Sequence, residues 1–268
     1  MCKTDQKAMK KPFLYAILPL TLGLLSSCEE TPPTPEPPVK AGVNLTFSST
    51  FNGDAIDYNK VFYSKGSSEE IMFTNWSTIL SEVSLVREDG SRELLGDGYL
   101  WVDFKSGRVS FDYDQTLPAG SYKALHVKLG LTQEVNHGDP TQWPAGHPLN
   151  GFVSGLHWGW SGGYIFQAID GMWRNAGATT TSGFSFHDAT MPMVREFDMA
   201  FPQATETGDK GLNVKVEFKG EKLFDASNTI ALKDGAVSHS AGADEIVLMN
   251  KLLENMVSVY SIKEVTKR

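Results

Sequence analysis

The stretch Leu156-His-Trp-Gly-Trp-Ser-Gly-Gly-Tyr-Ile-Phe-Gln167 offers more aromatic surface for burial than any other segment of the chain. In a β-strand, alternate side chains face opposite ways, so the large apolar ones would share one face. These are Leu156, Trp158, Trp160, Tyr164 and Phe166. Each buried aromatic ring removes roughly 150–250 Å² from water, which stabilises the fold by about 4–6 kcal/mol. We therefore predict that 156–167 is the central strand of the core.

Alternating apolar residues predict further strands on both sides of this stretch. Val43, Leu45 and Phe47 alternate with polar residues, and 212–218 alternates without interruption. Tyr99–Phe104 and Arg108–Tyr113 flank a Ser-Gly turn and predict a hairpin. Between 244 and 256 the apolar spacing becomes helical. The pattern predicts an all-β fold, an antiparallel, Greek-key-like β-sandwich with one C-terminal helix, spanning residues 42–268.

The N-terminal segment has the features of a bacterial lipoprotein signal. A basic start is followed by an apolar run and then by Leu-Ser-Ser-Cys28. We predict that residues 1–27 are removed as a signal peptide and that Cys28 is lipidated. Residues 28–41 then form an acidic, proline-rich linker. The domain is expected to be lipid-anchored at the outer membrane, on its periplasmic or cell-surface face.

Composition excludes several classes of function. Because residues 1–27 carry four lysines and one aspartate, their removal would change the net charge from −8 to −11. An acidic protein of this kind is a poor candidate for binding nucleic acid. The chain has two cysteines, Cys2 and Cys28, so the mature domain has neither a disulfide nor a thiolate metal site. A bound metal would need histidine, carboxylate, methionine or a modified side chain.

A Gly-x-Ser-x-Gly sequence occurs at 159–163 and matches the serine-hydrolase motif. That motif acts in a strand–turn–helix of an α/β sheet, and no alternation of strands and helices is predicted around Ser161. Hydrolase chemistry is therefore disfavoured, and we predict that the protein is not an enzyme.

Three histidines lie in sequence contexts that favour metal binding. They are His137, in Asn-His-Gly-Asp-Pro, His157, at the head of the central stretch, and His187, at the end of a short predicted strand. Imidazole nitrogens are the usual copper and zinc ligands where thiolates are absent. Asp139 and Asp188 could orient these rings by hydrogen bonding to the imidazole nitrogen that does not bind the metal. Taken singly, a histidine is more often a structural or surface residue than a metal ligand. The other three are interpreted as surface or structural: His126, His147 and His239.

The order of these motifs resembles the MbnP-like family, which is grouped with the methanotroph copper proteins MopE and CorA. The resemblance extends over residues 42–265, and its most specific part is the Trp-x-Trp-x-Gly-Gly-Tyr run. The other segments that carry it are 81–90, 117–122, 129–131, 136–140, 186–187 and the C-terminal helix.

The resemblance implies a copper-binding β-sandwich whose site contains two histidines and a tryptophan oxidised to kynurenine, with a dihaem peroxidase-like partner as the oxidant. It implies that His137, with His157 or His187, binds the copper, and that the modified or adjacent tryptophan is one of Trp76, Trp158 and Trp160. Where the copper-binding relatives have histidine, this chain has Ser81. The alternative function is a metal-free interaction module that presents the 132–155 loop to a protein or glycan.

Overall fold

A computed structural model describes residues 42–65, 68–159, 162–207 and 210–268. The predicted signal peptide, Cys28 and the linker up to residue 41 lie outside the described residues, as do Trp160 and Ser161. Within the described part of the chain, every helix is too short or too polar to cross a membrane.

The described residues form two packed β-sheets. The first sheet contains β1 (Gly42–Phe51), β2 (Asp54–Ala55), β7 (Ser110–Tyr113), β12 (Gly211–Lys219) and β14 (Tyr260–Lys267). The second sheet contains β3 (Tyr63–Lys65), β4 (Glu69–Arg87), β5 (Arg92–Leu94), β6 (Leu100–Asp103), β8 (Ser121–Leu129), β9 (Gln167–Asn175), β10 (Ser182–Asp188), β11 (Arg195–Glu206) and β13 (Val237–Ser238). The helices are α1 (Gln133–Asn136), α2 (Gly151–Ser154), α3 (Gly220–Phe224) and α4 (Ala243–Val259), with 3-10 turns at Pro140–Gln142, Met191–Met193 and Leu232–Asp234.

The predicted all-β sandwich with a C-terminal helix is confirmed, and the sheets are mixed rather than wholly antiparallel. The first sheet has the order β14-β12-β1-β2, and the second has the order β11-β8-β4-β9-β10-β13. The β1–β12 and β10–β13 pairs are parallel. Strands that are far apart in sequence can pair in this way, whereas adjacent strands joined by a short turn pair antiparallel. The β10–β13 pair positions the candidate site.

The centre of the fold is β4 rather than residues 156–167. This 19-residue strand pairs with β8 and β9 along its length, and the indole of Trp76 lies fully buried at its middle. Trp76 stacks on Phe73 with ring centroids 5.6 Å apart and contacts Phe218 at the same distance. From Trp76 to Val86 the burial of β4 is nearly continuous, so the sequence lacks a clear alternation there.

Residues 156–159 and 162–166, which we call the 156–166 loop, do not form a strand, so the prediction of a continuous strand over 156–167 was wrong. A single bridge pairs His157 with Tyr164, and Gln167 begins β9. Positive φ angles of 93° at Gly159 and 70° at Gly163 reverse the chain. The reversal buries Tyr164 and leaves Trp158 42% exposed. Glycine backbone freedom therefore overrides the aromatic alternation.

Of two other predicted elements, the hairpin at 99–113 forms only in part and the C-terminal helix forms as predicted. The hairpin at 99–113 has its turn and a bridge between Asp103 and Arg108, but β6 belongs to the second sheet and β7 to the first. The chain therefore crosses from one sheet to the other at this turn. The C-terminal helix is confirmed as α4, whose buried residues recur at helical spacing. The buried apolar ones are Met249, Leu252, Leu253, Met256 and Val259.

Candidate functional site

Parallel pairing of β10 with β13 brings two histidines together at the end of the second sheet. Ser185 pairs with Val237, and Phe186 pairs with Ser238. Continuing this register by one residue places His187 beside His239, and their ring centroids are 5.0 Å apart. We call these two residues the imidazole pair. His239 was interpreted from the sequence as surface or structural, because its sequence neighbours give no sign of the pairing with β10.

The loop at 156–166 adds an aromatic side chain to the imidazole pair. The ring of Trp158 lies 6.3 Å from the ring of His187 and 6.3 Å from that of His239, measured between centroids. Two backbone hydrogen bonds hold the loop in place. The backbone N–H of Trp158 donates to the Gly163 carbonyl, and the backbone N–H of Phe166 donates to the Asp188 carbonyl. An exposed indole and two imidazoles therefore share one surface site.

Asp170 on β9 fixes one nitrogen of His187. Its Oδ1 lies 3.0 Å from His187 Nε2 and accepts the Ser185 hydroxyl at 2.7 Å, while its Oδ2 accepts the Asn75 amide at 3.0 Å. Burial by itself raises the pKa of Asp170, but the hydrogen bonds from His187, Ser185 and Asn75 outweigh it and lower the pKa below its ordinary value. The charged carboxylate favours an N–H on Nε2.

In the neutral ring, the other nitrogen of His187 is therefore left with its lone pair. His187 Nδ1 is buried and makes no hydrogen bond to the described residues. Buried polar atoms are normally paired in native proteins, so an unpaired imidazole lone pair calls for an explanation. A metal ligand is one such explanation, because metal-bound histidines commonly have a carboxylate on the opposite nitrogen.

The backbone around His239 is anchored to α4 and to β10. The His239 N–H donates to Glu245 Oε2 at 2.7 Å, and the Ser240 hydroxyl donates to the His187 carbonyl at 2.9 Å. Ser240 adopts a φ of 61°, which turns the chain towards α4. These contacts keep the two members of the imidazole pair at a set separation.

The predicted carboxylate neighbours do not support these rings. Asp188 follows His187 in β10, so its side chain points to the opposite face, where it is completely buried. Burial raises the pKa of Asp188 well above its ordinary value, which favours a neutral carboxyl. Asp139 caps the 3-10 turn that follows it by accepting the Thr141 N–H at 2.7 Å. Asp170 takes the role that was predicted for Asp188.

The other two predicted histidines do not join the imidazole pair in a three-ligand group. Across the described residues, no convergent set of three His, Cys, Asp or Glu side chains contains His137, His157 or His187. His137 is exposed at the end of α1. His157 accepts the Gly159 N–H on Nδ1 at 2.9 Å and packs edge-on against Tyr164. Burial lowers the pKa of His157, so the neutral ring is favoured there.

The Asn-His-Gly-Asp-Pro motif has a structural use at its first residue. Asn136 is buried, and its side-chain oxygen accepts the Tyr164 N–H at 2.8 Å. A Cβ on Gly163 would lie 2.8 Å from the same oxygen, so only glycine leaves room for this contact. The motif therefore joins the 132–155 loop to the 156–166 loop. His147 also has structural contacts, because it stacks on Trp143 and bonds to Asp97 at 2.7 Å.

The remaining predicted positions lie in the core. The Trp76 indole N–H donates to Gln167 Oε1 at 3.4 Å, which also accepts the Tyr260 hydroxyl at 2.6 Å. Ser81 is buried and donates its hydroxyl to the Gly130 carbonyl at 2.6 Å. Of the three tryptophans predicted for the site, Trp158 is the one that the described structure places beside imidazoles, while Trp160 lies outside the described residues.

A second histidine lies among carboxylates on the β4–β8–β11 surface. One ligating atom from each of Glu82, His126 and Glu196 falls within 4.8 Å of the other two. Cations already occupy this group, because Arg92 Nη1 lies 3.0 Å from His126 Nε2 and the Lys128 ammonium contacts Glu82. Asp198 holds His126 Nδ1 at 2.6 Å. We call these side chains the His126 network: Glu82, Arg92, His126, Lys128, Glu196 and Asp198.

Comparison with protein-family models agrees with the sequence resemblance. No curated protein matches the chain. A search of solved structures finds MbnP from Methylosinus trichosporium, which is 18% identical, covers 75% of this chain and 81% of its own, and has a TM-score of 0.46. The family model described as MbnP matches residues 40–241. Since that match extends over well more than half of the chain, the protein belongs to the MbnP family.

Proposed function

We propose that the protein is a copper-binding lipoprotein of the cell envelope, and that His187 and His239 bind the copper beside Trp158. The observation that carries this proposal is the imidazole pair itself, with one lone pair unpartnered at His187 Nδ1 and the opposite nitrogen held by Asp170. Family membership supports a copper-related role.

The donor set suits copper better than the harder divalent ions. Imidazole nitrogens bind copper strongly, whereas carboxylate and carbonyl oxygens suit magnesium and calcium. The copper, when bound, would supply a positive centre that two neutral imidazoles can ligate. The chain's own contribution is to keep the rings together, to orient His187 through Asp170 and to cover the site with the Trp158 indole.

Trp158 is the described tryptophan best placed for the oxidation that the resemblance implies. Its indole offers only an N–H donor and cannot ligate a metal through that nitrogen, whereas the aniline nitrogen of kynurenine can. A dihaem peroxidase-like partner would supply the oxidant. Cys28 would carry the lipid that anchors the domain at the outer membrane, where it would bind copper rather than act as an enzyme.

The test is a competition titration of the purified protein with Cu(I) and Cu(II) against a chelator of known affinity. We expect one copper per chain, and a loss of affinity of more than about 100-fold, or about 2.7 kcal/mol, for both His187→Ala and His239→Ala. His126→Ala is the matched control and should bind copper like the parent. Copper binding that both site variants retain in full would refute the assignment.

Intact mass spectrometry of the protein from its native host tests the modification separately. Conversion of tryptophan to kynurenine adds one oxygen atom and removes one carbon atom, and peptide mapping would locate the change. We expect it at Trp158. A modified Trp76 with an unmodified Trp158 would place the site in the core instead.

A further inference from the structure

A groove beside α4 adjoins the candidate copper site. It has a volume of about 550 Å³ and lies between the first turns of α4 and the chain from Thr229 to Val237. Its apolar lining includes Ile230, Val237, Val247 and Leu248. We call it the α4 groove.

The α4 groove presents apolar surface to solvent. Val237 is 50% exposed and Val247 is 56% exposed, although both are large apolar residues. The exposed Trp158 ring lies against His239, two residues after Val237. Apolar groups that cluster at a groove with a polar rim are typical of protein-binding surfaces. The apolar surface therefore continues towards the imidazole pair.

The rim of the α4 groove is acidic. Asp234, Asp244 and Glu245 line it, against one cation, Lys251. Glu245 is engaged by the backbone of His239 and Ala241. Within the described part of the chain, neither Asp234 nor Asp244 forms an ion pair. Two unpaired carboxylates beside an apolar floor are complementary to a ligand that carries both positive charge and apolar side chains.

We propose that the α4 groove binds a basic amphipathic peptide segment of a partner protein. An apolar side chain of that segment would pack between Val237, Val247 and Leu248, and its lysine or arginine side chains would pair with Asp234 and Asp244. Peptide binding as such stands apart from the proposed function. The idea that this partner exchanges copper with the imidazole pair rests on that function.

The connection between groove and copper site is covalent and short. Val237 lines the groove, Ser238 follows it, and His239 is the next residue. Glu245 lines the same groove and accepts the His239 N–H. A peptide that displaces α4 or β13 would therefore move His239, so peptide binding and copper binding would be thermodynamically coupled.

The test uses the metal-free protein and two synthetic blocked peptides, one alternating leucine with lysine and the other alternating leucine with glutamate. Calorimetry and amide chemical shifts measure binding. We expect saturable binding of the lysine peptide, shifts centred on 229–251, and at least tenfold weaker binding of the glutamate peptide. No saturable binding, or shifts centred elsewhere, would overturn the proposal.

Variants locate the contact. Asp234→Asn combined with Asp244→Asn should weaken the lysine peptide by about tenfold or more, as should Val247→Ser. Val257→Ser is the matched control, because Val257 lies on the same helix, is 63% exposed and does not line the groove. Equal losses in Val247→Ser and Val257→Ser would overturn the proposal. So would self-association of the free protein that Val247→Ser abolishes, since the groove would then bind a second copy.

Repeating the titration with copper-loaded protein separates the two proposals. The peptide should change copper affinity by the same factor as copper changes peptide affinity. If His187→Ala and His239→Ala leave copper binding intact while the lysine peptide still binds the groove, the peptide proposal stands and the copper assignment falls. If the two histidine variants lose copper binding as expected but the lysine peptide does not bind the groove, the peptide proposal falls and the copper assignment stands.

Discussion

Two histidines of the second sheet are each held by a carboxylate, but they differ in what meets the opposite nitrogen. Asp198 lies 2.6 Å from His126 Nδ1, and Asp170 lies 3.0 Å from His187 Nε2. Arg92 then lies 3.0 Å from His126 Nε2, whereas His187 Nδ1 has no partner among the described residues. In the His126 network the Arg92 guanidinium therefore lies where a metal ion bound to His126 Nε2 would lie.

The difference shows that convergence of ligand types is an incomplete criterion for a metal centre. The His126 network contains more carboxylates than the imidazole pair, yet each of them already forms an ion pair with Arg92 or Lys128. A metal ion there would have to displace two built-in cations. At the imidazole pair, a metal ion would instead bind the lone pair of His187 Nδ1, which has no hydrogen-bond partner among the described residues. The more sparsely liganded region is therefore the better candidate.

The largest expected effect is on stability, and it falls on the His126 network. His126 is 1% exposed and bonds to two charged side chains, so His126→Ala should lower the free energy of unfolding by about 1–3 kcal/mol. His187→Ala in the metal-free protein should cost less than about 1 kcal/mol. Urea denaturation of the two variants beside the parent measures both. Equal losses would remove the distinction between a structural and a ligand-binding histidine.

The next effect is on copper affinity and concerns the two supporting carboxylates. Asp170→Asn should weaken copper binding by about 10–100-fold, because it removes the charge that orients His187 and raises its basicity. Asp198→Asn makes the same change behind His126 and should leave copper affinity unchanged. Chelator competition measures both affinities. A loss in Asp198→Asn that matches the loss in Asp170→Asn would move the copper to the His126 network.

A smaller effect is expected from variants that turn the His126 network into a metal site. Arg92→Gln combined with Lys128→Gln removes the two cations and exposes His126 Nε2 with Glu82 and Glu196. In a background that lacks His187 and His239, we expect zinc affinity to rise by about tenfold, or about 1.4 kcal/mol. Adding His126→Ala should abolish the gain. Unchanged zinc affinity in the variant without cations would show that charge occupancy is not what distinguishes the regions.

The elements that sequence predicts well are those whose pattern is local. β1, β12 and α4 have apolar residues at the period of their own structure, and each forms where it is predicted. The loop at 156–166 was mispredicted because glycines can reverse a chain whose aromatic spacing still alternates. His239 was missed because the β10–β13 pairing joins residues about fifty positions apart. Asp170 was missed because it reaches His187 across the β9–β10 pairing, seventeen positions away, and the sequence alone does not give the register of that pairing.

The smallest effect distinguishes the two regions by how strongly added salt weakens the interactions of their charged side chains. Arg92, Glu196 and Asp198 have side chains that are 43–48% exposed, so their ion pairs are screened by added salt. The difference in unfolding free energy between the parent and Arg92→Gln should be at most about 1 kcal/mol in about 0.05 M NaCl and should approach zero in about 1 M NaCl, where the Debye length is only about 3 Å. The corresponding difference for Asp170→Asn should change less, because the Asp170 side chain is less exposed, at 29%, and accepts hydrogen bonds from Asn75 and Ser185. Urea denaturation at the two salt concentrations provides both values. The opposite result would be a smaller Asp170→Asn difference at high salt with an unchanged Arg92→Gln difference. It would mean that the His187 contacts are the solvent-screened ones, and that His126 rather than His187 lies in the preformed ligand site.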